Sequence, residues 1–334
     1  MLQPQATILS GIRATGRLHF GNFMGAVRHF VAYQQPDNRC LYFIADLHSL
    51  TTLEKPEELR GNVLEITKDY LAAGLDPNRS VIYAQSSIPE ISELSLLLSN
   101  VISLGEIERT TTFKDMVRKN PDNVSLGLAN YPVLMAADIL GCKATLVPVG
   151  EDQRPNVEIA RNIVDHFNGR FGETFVKPEM MIEMSKVPGL DGAKMGKSES
   201  NNAIDINSPI VSIRKRYMER GITDPQRLRA SDPGDPYNGC RSVYPLHEMI
   251  TRGESDSREI ANLCRSAQIG CVACKNRLVD SIALILEPFQ ERRRELAEKD
   301  NYAREVLHEG GKRARAIFAE TLAVVRDKMG IVVY

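Results

Sequence analysis

The fold of this chain is decided by the stretch TILSGIRATGRLHFGNFMGA, residues Thr7–Ala26. Its first residues, Thr7–Leu9, are apolar and partly β-branched, which predicts a buried strand. Gly11 and Gly16 interrupt that pattern, and from Phe23 onward apolar residues recur at helical spacing. The stretch therefore predicts a strand, a glycine-containing turn and a helix.

The start of that helix carries His19, Gly21 and Asn22. A helix N-terminus presents unpaired backbone N–H groups and a positive dipole end to a phosphate. Glycine lets a nucleotide approach the backbone, and His and Asn side chains donate hydrogen bonds to phosphate oxygens. A plain strand-to-helix turn with a surface histidine has the same pattern, so the nucleotide site needs support from other motifs.

Strands and helices alternate along the first part of the chain. Further strands are predicted at Cys40–Asp46, Ser80–Ala84 and Thr145–Val149. Helices are predicted at 22–35, 56–74, 88–104, 128–140 and 153–171. This alternation predicts an α/β fold with a Rossmann-like, doubly wound parallel sheet, which binds ligands at the carboxyl ends of its strands. The residues that fall at such ends are His19, Asp46, His48 and Gly150–Gln153.

After about Ile206 the strand patterns end, and helical patterns follow at Pro209–Arg220, Val272–Glu298 and Ala303–Met329. We therefore expect two domains, a catalytic domain of residues 1–206 and an all-helical domain of residues 207–334. No apolar run approaches membrane-spanning length, and the first ten residues lack the features of a signal peptide. These observations predict a cytoplasmic protein with no membrane partner.

The charge balance is close to neutral, with 42 basic and 43 acidic residues. The chain therefore has no global positive field that would indicate a nucleic-acid partner. Local basic clusters in the helical domain can still bind RNA, and they lie at Arg214–Arg216, Arg227, Arg229 and Arg292–Arg294. Each cluster is equally consistent with a solvated helix face.

A second motif lies in the polar segment GLDGAKMGKSESN, Gly189–Asn201, between the two domains. Lys194 and Lys197 stand three residues apart. On a flexible loop, two ammonium groups at this spacing can close over a triphosphate and neutralise the charge that develops on leaving pyrophosphate. Taken alone, two lysines at this spacing are more often a solvated charge run.

The two motifs resemble, in order, the two signatures of class I aminoacyl-tRNA synthetases. The segments TILSG, HFGN, YPVLMAADIL, VPVGEDQ, PGLDG and KMGKS resemble those of tryptophanyl-tRNA synthetases in order and approximate spacing, over nearly the whole chain. Gly196 stands where the family's KMSKS motif has serine, which loosens the loop but keeps both lysines. Arg13, Ala14 and Thr15 stand where the family has Gln-Pro-Ser, and arginine is a stronger phosphate ligand than glutamine.

This resemblance implies an enzyme that activates L-tryptophan with ATP and Mg²⁺ and then charges tRNA(Trp) at its terminal adenosine. It also implies a homodimer, for which the apolar segment Ser95–Gly105 is a candidate interface, although such a segment also suits a core. The implied catalytic residues are His19, Asn22, Lys194 and Lys197. The implied ATP-binding residues are Arg13, Ala14, Thr15, Gly21, Asn22, Gly150, Glu151, Asp152, Val187, Lys194, Met195, Gly196, Lys197 and Ser198.

Asp138 stands inside the apolar stretch NYPVLMAADIL, residues 130–140. A carboxylate there is costly unless a donor meets it, and an indole N–H is a neutral donor on an apolar ring. A backbone group or an arginine is the other partner to consider. By resemblance, the tryptophan-binding residues would be Leu9, His48, Tyr131, Met135, Asp138, Val147, Val149 and Gln153.

Three other functions share parts of this pattern. A tyrosine-specific synthetase has the same fold, but Asp138 and Met135 favour tryptophan. Another nucleotidyltransferase would have no use for the helical domain. A synthetase paralogue that only binds tRNA or acts in regulation would be favoured if Lys194 and Lys197 were missing, and both are present.

Four of the six cysteines fall in the helical domain, at Cys240, Cys264, Cys271 and Cys274. A reducing compartment argues against disulfides, and a C-x2-C pair with two companions argues against isolated core thiols. Four thiolates suit either zinc or a four-iron, four-sulfur (4Fe-4S) cluster, and spacing alone favours zinc. Some bacterial tryptophanyl-tRNA synthetases carry such a cluster on a C-x22-C-x6-C-x2-C pattern. This sequence resembles that pattern with one additional residue in the first interval, which favours iron.

Overall fold

A computed structural model describes residues 6–52, 55–119, 121, 124–184, 186–196, 201–250 and 254–332. Over these residues the strands form one five-stranded parallel sheet in the order β3-β2-β1-β4-β5. The strands are β1 (Thr7–Arg13), β2 (Arg39–Ala45), β3 (Ser80–Ala84), β4 (Leu146–Gly150) and β5 (Glu179–Met184). The strand order reverses between β1 and β4, which makes their carboxyl ends the expected ligand crevice. The predicted Rossmann-like α/β class is confirmed.

Helices connect these strands and continue after β5. Their bounds are α1 (Phe20–Asn22), α2 (Arg28–Tyr33), α3 (Asp46–Ser49), α4 (Pro56–Ala73), α5 (Pro89–Leu98), α6 (Leu104–Arg109), α7 (Thr111–Lys119), α8 (Leu126–Gly141), α9 (Arg154–Phe171), α10 (Ile210–Arg220), α11 (Val243–Ile250), α12 (Glu254–Arg265), α13 (Cys271–Glu295) and α14 (Asp300–Lys328). A π-helical turn, Phe23–Val27, joins α1 to α2. No described helix is both long and apolar enough to cross a membrane.

Local sequence signals account for several helix ends. Helix α4 begins with Pro56 at its first position and ends at Gly74, whose φ of 107° suits a residue without a side chain. Ser103 and Glu106 form a reciprocal capping box at the start of α6. The predicted helix 88–104 therefore ends early, at Leu98, and a separate helix begins at Leu104.

Strand β1 continues four residues beyond its predicted end, through Gly11 to Arg13. A Cβ atom at Gly11 would lie 2.7 Å from the backbone oxygen of Phe43 on the neighbouring strand. The glycine therefore allows close packing inside the strand instead of ending it. Strand β5, EMMIEM, was not predicted, because it lies at the sheet edge and has a single β-branched residue to mark it.

The chain forms two compact units, and their limits differ from the predicted boundary at residue 207. A sheet unit contains residues 1–16, 29–184 and 299–334, and a helical unit contains residues 17–28 and 185–298. Residues near 190 belong with the helices, since Ser242 Oγ donates to the backbone oxygen of Gly189 at 2.7 Å. Helical periodicity alone does not reveal which core an apolar face joins.

Helix α14 belongs to the sheet unit, whereas the sequence placed it in the helical domain. Its Gly310 lies directly against strand β3, where an added Cβ would fall 1.8 Å from the backbone oxygen of Ile82. Arg326 pairs with Glu93 on α5, and Arg315 pairs with Glu90 at 2.8 Å. Phe318, Leu322 and Val325 of α14 join the same buried cluster as the strands.

Candidate functional site

Within the sheet unit, polar residues follow the carboxyl ends of four strands. Strand β1 leads to Arg13–Thr15, and β2 leads into α3, which carries Asp46 and His48. Strand β3 leads to a 3-10 turn, Gln85–Ser87, and β4 leads to Gly150–Gln153. Because parallel strands end at one edge, these segments gather beside the crevice that the strand order defines.

Asp138 on α8 is fully buried at this edge, and two side chains donate to its carboxylate. Gln85 Nε2 donates to Oδ1 at 3.0 Å and to Oδ2 at 2.8 Å. His48 Nε2 lies 3.1 Å from Oδ2. Burial raises the pKa of the Asp138 carboxyl, and the hydrogen bonds from His48 and Gln85 oppose that shift. The donors at this carboxylate are an imidazole and a primary amide.

The other predicted tryptophan contacts lie in the same unit. The ring centroid of Tyr131 is 4.3 Å from that of His48, and burial raises the pKa of the Tyr131 hydroxyl. Gln153 accepts a hydrogen bond from Asn156 at 2.9 Å and donates to Asp152 at 3.3 Å. The predicted wall residues belong to, or pack against, one hydrophobic cluster, namely Leu9, Met135, Val147 and Val149.

Gly150, the last residue of β4, lies beside Asp152. A Cβ atom at Gly150 would lie 2.6 Å from Oδ1 of Asp152, so a side chain there would displace the carboxylate. Glu151 is turned to solvent and pairs with Arg154 at 2.7 Å. The exposed Asp152 carboxylate is therefore the acceptor that this turn offers to a polar ligand.

The turn after β1 is fixed by hydrogen bonds within the sheet unit. The backbone N–H of Ala14 donates to Ser49 Oγ at 2.8 Å, and Asn62 donates to the Ala14 oxygen at 2.9 Å. The guanidinium of Arg13 donates to Thr51 Oγ1 at 3.3 Å and to Thr52 Oγ1. The Arg13–Thr15 turn is thus held in place by hydrogen bonds with α3, with the two threonines that follow α3, and with α4.

The HFGN segment lies in the helical unit, where His19 caps α1. Asn22 N–H donates to His19 Nδ1 at 3.1 Å, and Asn22 Oδ1 accepts from the His19 N–H at 3.3 Å. The N–H of Gly21 donates to Met195 Sδ at 3.2 Å. A Cβ at Gly21 would lie 2.9 Å from the His19 ring and 3.2 Å from Met195 Cβ. The two predicted signatures, HFGN and KMGKS, therefore touch each other at Gly21 and Met195.

The second signature follows a tight turn. Pro188 and Lys194 form an antiparallel bridge, and Gly189 N–H donates to the Ala193 oxygen at 2.7 Å. Buried Val187 accepts from Met195 N–H at 2.9 Å, and Lys194 is exposed. The predicted residues Lys197 and Ser198 lie outside the described residues, and Gly196 is the last described residue before that gap.

The four cysteines of the helical unit influence one another electrostatically. Burial first, and then the thiols of Cys240, Cys264 and Cys271, raise the pKa of Cys274 to about 12. Among the described residues, however, no group of three or more His, Cys, Asp or Glu side chains is arranged to hold a metal ion. The predicted iron–sulfur or zinc centre is therefore not confirmed.

Gln85 is a site residue that the sequence analysis did not select. It is fully buried and is the first polar side chain after β3, the same position that Asp46 has after β2. Asp46 is held there by Ser86, whose N–H donates to Oδ1 at 2.9 Å. A polar residue directly after a buried strand was the signal that would have found Gln85.

Known proteins resemble this chain over almost its entire length. The family described as tRNA synthetases class I (W and Y) matches residues 2–287. Tryptophan–tRNA ligase of Thermotoga maritima is 39% identical over 97% of this chain and 99% of its own length. The enzyme of Porphyromonas gingivalis is 41% identical with the same coverage of both chains. The crystal structure of tryptophanyl-tRNA synthetase from Campylobacter jejuni, complexed with ADP and tryptophan, is 35% identical, covers 97% of this chain and 99% of its own, and superposes with a TM-score of 0.83. With this geometry and these relatives, the chain belongs to the tryptophanyl-tRNA synthetase family of class I aminoacyl-tRNA synthetases.

Proposed function

We propose that this chain activates L-tryptophan with ATP and then transfers the tryptophanyl group to the terminal adenosine of tRNA(Trp). Relatives that carry this activity in their names match the chain almost end to end. The observation that carries the substrate assignment is the buried Asp138 carboxylate at the carboxyl edge of the sheet. A carboxylate enclosed by apolar residues is a suitable acceptor for the N–H of an otherwise apolar indole ring.

Asp138 retains room for that N–H. Each carboxylate oxygen has two lone-pair positions, and Oδ1 receives one donor whereas Oδ2 receives two. Because Asp138 is closed to solvent, an entering indole ring must move neighbouring side chains. Met135 and Tyr131 are half-buried and lie about one and about two turns before Asp138 on α8, so they are the side chains that give way.

The activation step needs no side-chain nucleophile. A carboxylate oxygen of tryptophan attacks the α-phosphorus of ATP, and the bond to pyrophosphate breaks. His19, Asn22, Lys194 and Lys197 bind the phosphates and stabilise the charge that develops on the leaving group. Mg²⁺, when bound with ATP, supplies further positive charge to the same phosphates. The ribose hydroxyls donate to Asp152 beside Gly150.

Pyrophosphate exchange into ATP tests this function. Exchange should require tryptophan and should fail with tyrosine or phenylalanine, and Asp138→Ala should reduce it by roughly tenfold or more because a buried donor is left unpaired. Exchange with tyrosine would identify the enzyme as the tyrosine-specific alternative. The absence of exchange with every amino acid, together with tRNA binding, would identify a paralogue that only binds tRNA.

Of the two lysines in the second signature, Lys194 lies within the described residues. Its ammonium group should stabilise the negative charge that grows on pyrophosphate as it leaves. Lys194→Ala should lower the rate constant of activation by roughly tenfold to a thousandfold while leaving the affinity for tryptophan unchanged. Stopped-flow measurement of adenylate formation gives the rate, and equilibrium binding gives the affinity. A raised KM for tryptophan with an unchanged kcat would contradict this role.

The four cysteines are proposed to hold a 4Fe-4S cluster, with Zn²⁺ as the alternative occupant. The mutual effect of the thiols on the pKa of Cys274 supports this proposal, because it requires the sulfur atoms to lie near one another. Binding would need these side chains to turn toward a common centre. When bound, either group would cross-link the helical unit, and it takes no part in the aminoacylation chemistry.

Metal analysis of anaerobically purified protein distinguishes the occupants. About four irons per chain with brown colour supports the cluster, and about one zinc per chain with colourless protein supports zinc. Metal-free protein that aminoacylates at full rate would rule out both. We propose the cytoplasm as the compartment of this protein, since a reducing compartment keeps the cysteines available as thiolate ligands.

The helical unit is proposed to bind the anticodon end of tRNA. Arg214 and Arg227 have structural partners, since Arg214 donates to Asp280 at 2.6 Å and Arg227 donates to the Ala230 oxygen at 2.6 Å. The exposed basic residues of these clusters are Lys215, Arg229, Arg292 and Arg294, and exposed cations can meet the phosphates of a tRNA. Arg229→Ala should therefore weaken aminoacylation of tRNA without changing pyrophosphate exchange. Equal charging of a tRNA with a scrambled anticodon would contradict the proposal.

A further inference from the structure

Gln85 forms the centre of a closed polar network around Asp138. Its side chain is fully buried. The Nε2 group donates to both oxygens of Asp138, at 3.0 and 2.8 Å, and Oε1 accepts the backbone N–H of His48 at 3.3 Å. His48 Nε2 closes the ring at 3.1 Å from Asp138 Oδ2. Three separate elements, α3, the turn after β3 and α8, thus meet at one carboxylate.

The network fixes the orientation of the Gln85 amide. A backbone N–H is a donor only, so it must face the amide oxygen. The amide NH₂ group is therefore turned toward Asp138, where an ionised carboxylate accepts. A flipped amide would place oxygen against oxygen at Asp138 and donor against donor at His48 N–H. The side chain can therefore act in one orientation only.

We propose that Gln85 is a positioning residue for amino-acid specificity, which holds Asp138 ionised and turned so that Oδ1 accepts the indole N–H. This inference rests on the proposed role of Asp138 in binding tryptophan. Gln85 does not touch the indole ring in this proposal, and it acts through Asp138. Without the amide, His48 remains as a donor to Oδ2, and the direction of Oδ1 is no longer fixed.

The surroundings make this carboxylate sensitive to a second negative charge. The titratable groups that face Asp138 are Asp46 and His48 on α3, Tyr83 on β3, Tyr131 on α8 and Cys142 after α8. Burial raises the pKa of Tyr83, of Tyr131 and of Cys142, so all three are neutral near neutral pH. The Asp46 carboxylate already raises the pKa of Asp138. A further carboxylate at position 85 would meet Asp138 at hydrogen-bond distance, and the two would share a proton.

The variants Gln85→Glu and Gln85→Leu therefore give different expected results. Gln85→Glu has almost the same shape but lacks the amide donor, so it should bind tryptophan roughly tenfold to a hundredfold more weakly at mildly alkaline pH. Its affinity should recover as the pH falls and the carboxylate pair takes up a proton. Gln85→Leu has no donor at any pH, so its affinity should stay low throughout.

Tryptophan binding can be followed directly, because the chain contains no tryptophan and the ligand's own fluorescence can be excited beyond the tyrosine band. Thermal melts of each variant confirm folding, and Gln34→Glu provides a matched change at another buried glutamine of the sheet unit. Full affinity of Gln85→Glu at alkaline pH, or a deficit that does not vary with pH, would overturn the inference. If Asp138→Ala keeps full affinity, the proposed role of Asp138 fails instead. In Asp138→Asn protein, the added change Gln85→Leu should have little further effect, since its action passes through the carboxylate.

Discussion

At the scale of single residues, the buried carboxylate of Asp138 carries a free-energy cost, and its proposed role in tryptophan binding would explain why the residue is there. An ionised carboxylate in an apolar interior is poorly solvated, and burial accordingly raises the pKa of Asp138 above its ordinary value of 3.8. The folded chain therefore binds that proton more tightly than the unfolded chain does. The stability contributed by this residue is present below pH 3.8 and is lost as the pH rises through the higher folded-state pKa.

Replacing Asp138 with asparagine removes this titration. The difference in free energy of unfolding, variant minus parent, should increase in favour of Asp138→Asn as the pH rises from 3.8 toward neutrality. The same substitution should weaken tryptophan binding, because an amide cannot replace both carboxylate oxygens. Urea titrations at a series of pH values measure the difference. A difference that is constant with pH would show that the pKa of Asp138 is not raised.

The sequence revealed this site in part. Asp138 could be selected because a charged residue interrupts an apolar helix, and His48 because it follows a buried strand. The hydrogen bonds from Gln85 could not be foreseen, since its partner lies 53 positions away and meets it only through the packing of α8 on the sheet. The local sequence pattern indicates which residues are buried and where strands end. The hydrogen-bond partners of a buried side chain depend on the tertiary structure.

At the scale of elements, helix α14 shows how a buried glycine selects a packing partner. Gly310 lets the helix backbone approach strand β3 so closely that a methyl group has no room. Ion pairs with Glu90 and Glu93 then hold the helix along α5. The amphipathic pattern of α14 was visible in the sequence. The packing of α14 on the sheet, within the sheet unit, depends on the close approach at Gly310.

Gly310→Ala and Gly61→Ala form a matched pair of helix substitutions. An added Cβ at Gly310 would lie 1.8 Å from the Ile82 oxygen, whereas one at Gly61 on α4 would meet nothing within 4 Å. Gly310→Ala should destabilise the fold by about 1–3 kcal/mol or more, since the helix must move off the strand. Gly61→Ala should stabilise it by about 0.5–1 kcal/mol through better helix propensity. Equal free energies of unfolding in the two variants would contradict the packing described here.

At the scale of the whole molecule, two of the large exposed apolar side chains of the sheet unit lie on the segment Ser95–Gly105. The sequence predicts that Ser95–Gly105 is either an interface or part of the core. The structure shows both buried and exposed leucines in this segment, since Leu98 is buried whereas Leu96 and Leu104 are 66% and 61% exposed. Leu126 at the start of α8 is 89% exposed. Asn130 ties the two regions together, since it donates to Ser95 Oγ at 3.1 Å. We propose that this surface joins two copies of the chain in a two-fold symmetric dimer, with tRNA bound across both subunits.

Large apolar side chains at this exposure are costly in water, and covering them with a second copy removes that cost. Leu96→Glu combined with Leu104→Glu should therefore place like charges across the two-fold interface and give monomers at micromolar concentration. Val176→Glu provides the control, because Val176 is 60% exposed in the same unit but lies outside the segment. Light scattering measures the mass of each protein. The double variant should also lose more aminoacylation than pyrophosphate exchange, since tRNA would then lack its second subunit. A monomeric parent protein, or a double variant that remains dimeric, would show that the two leucines do not lie in the interface.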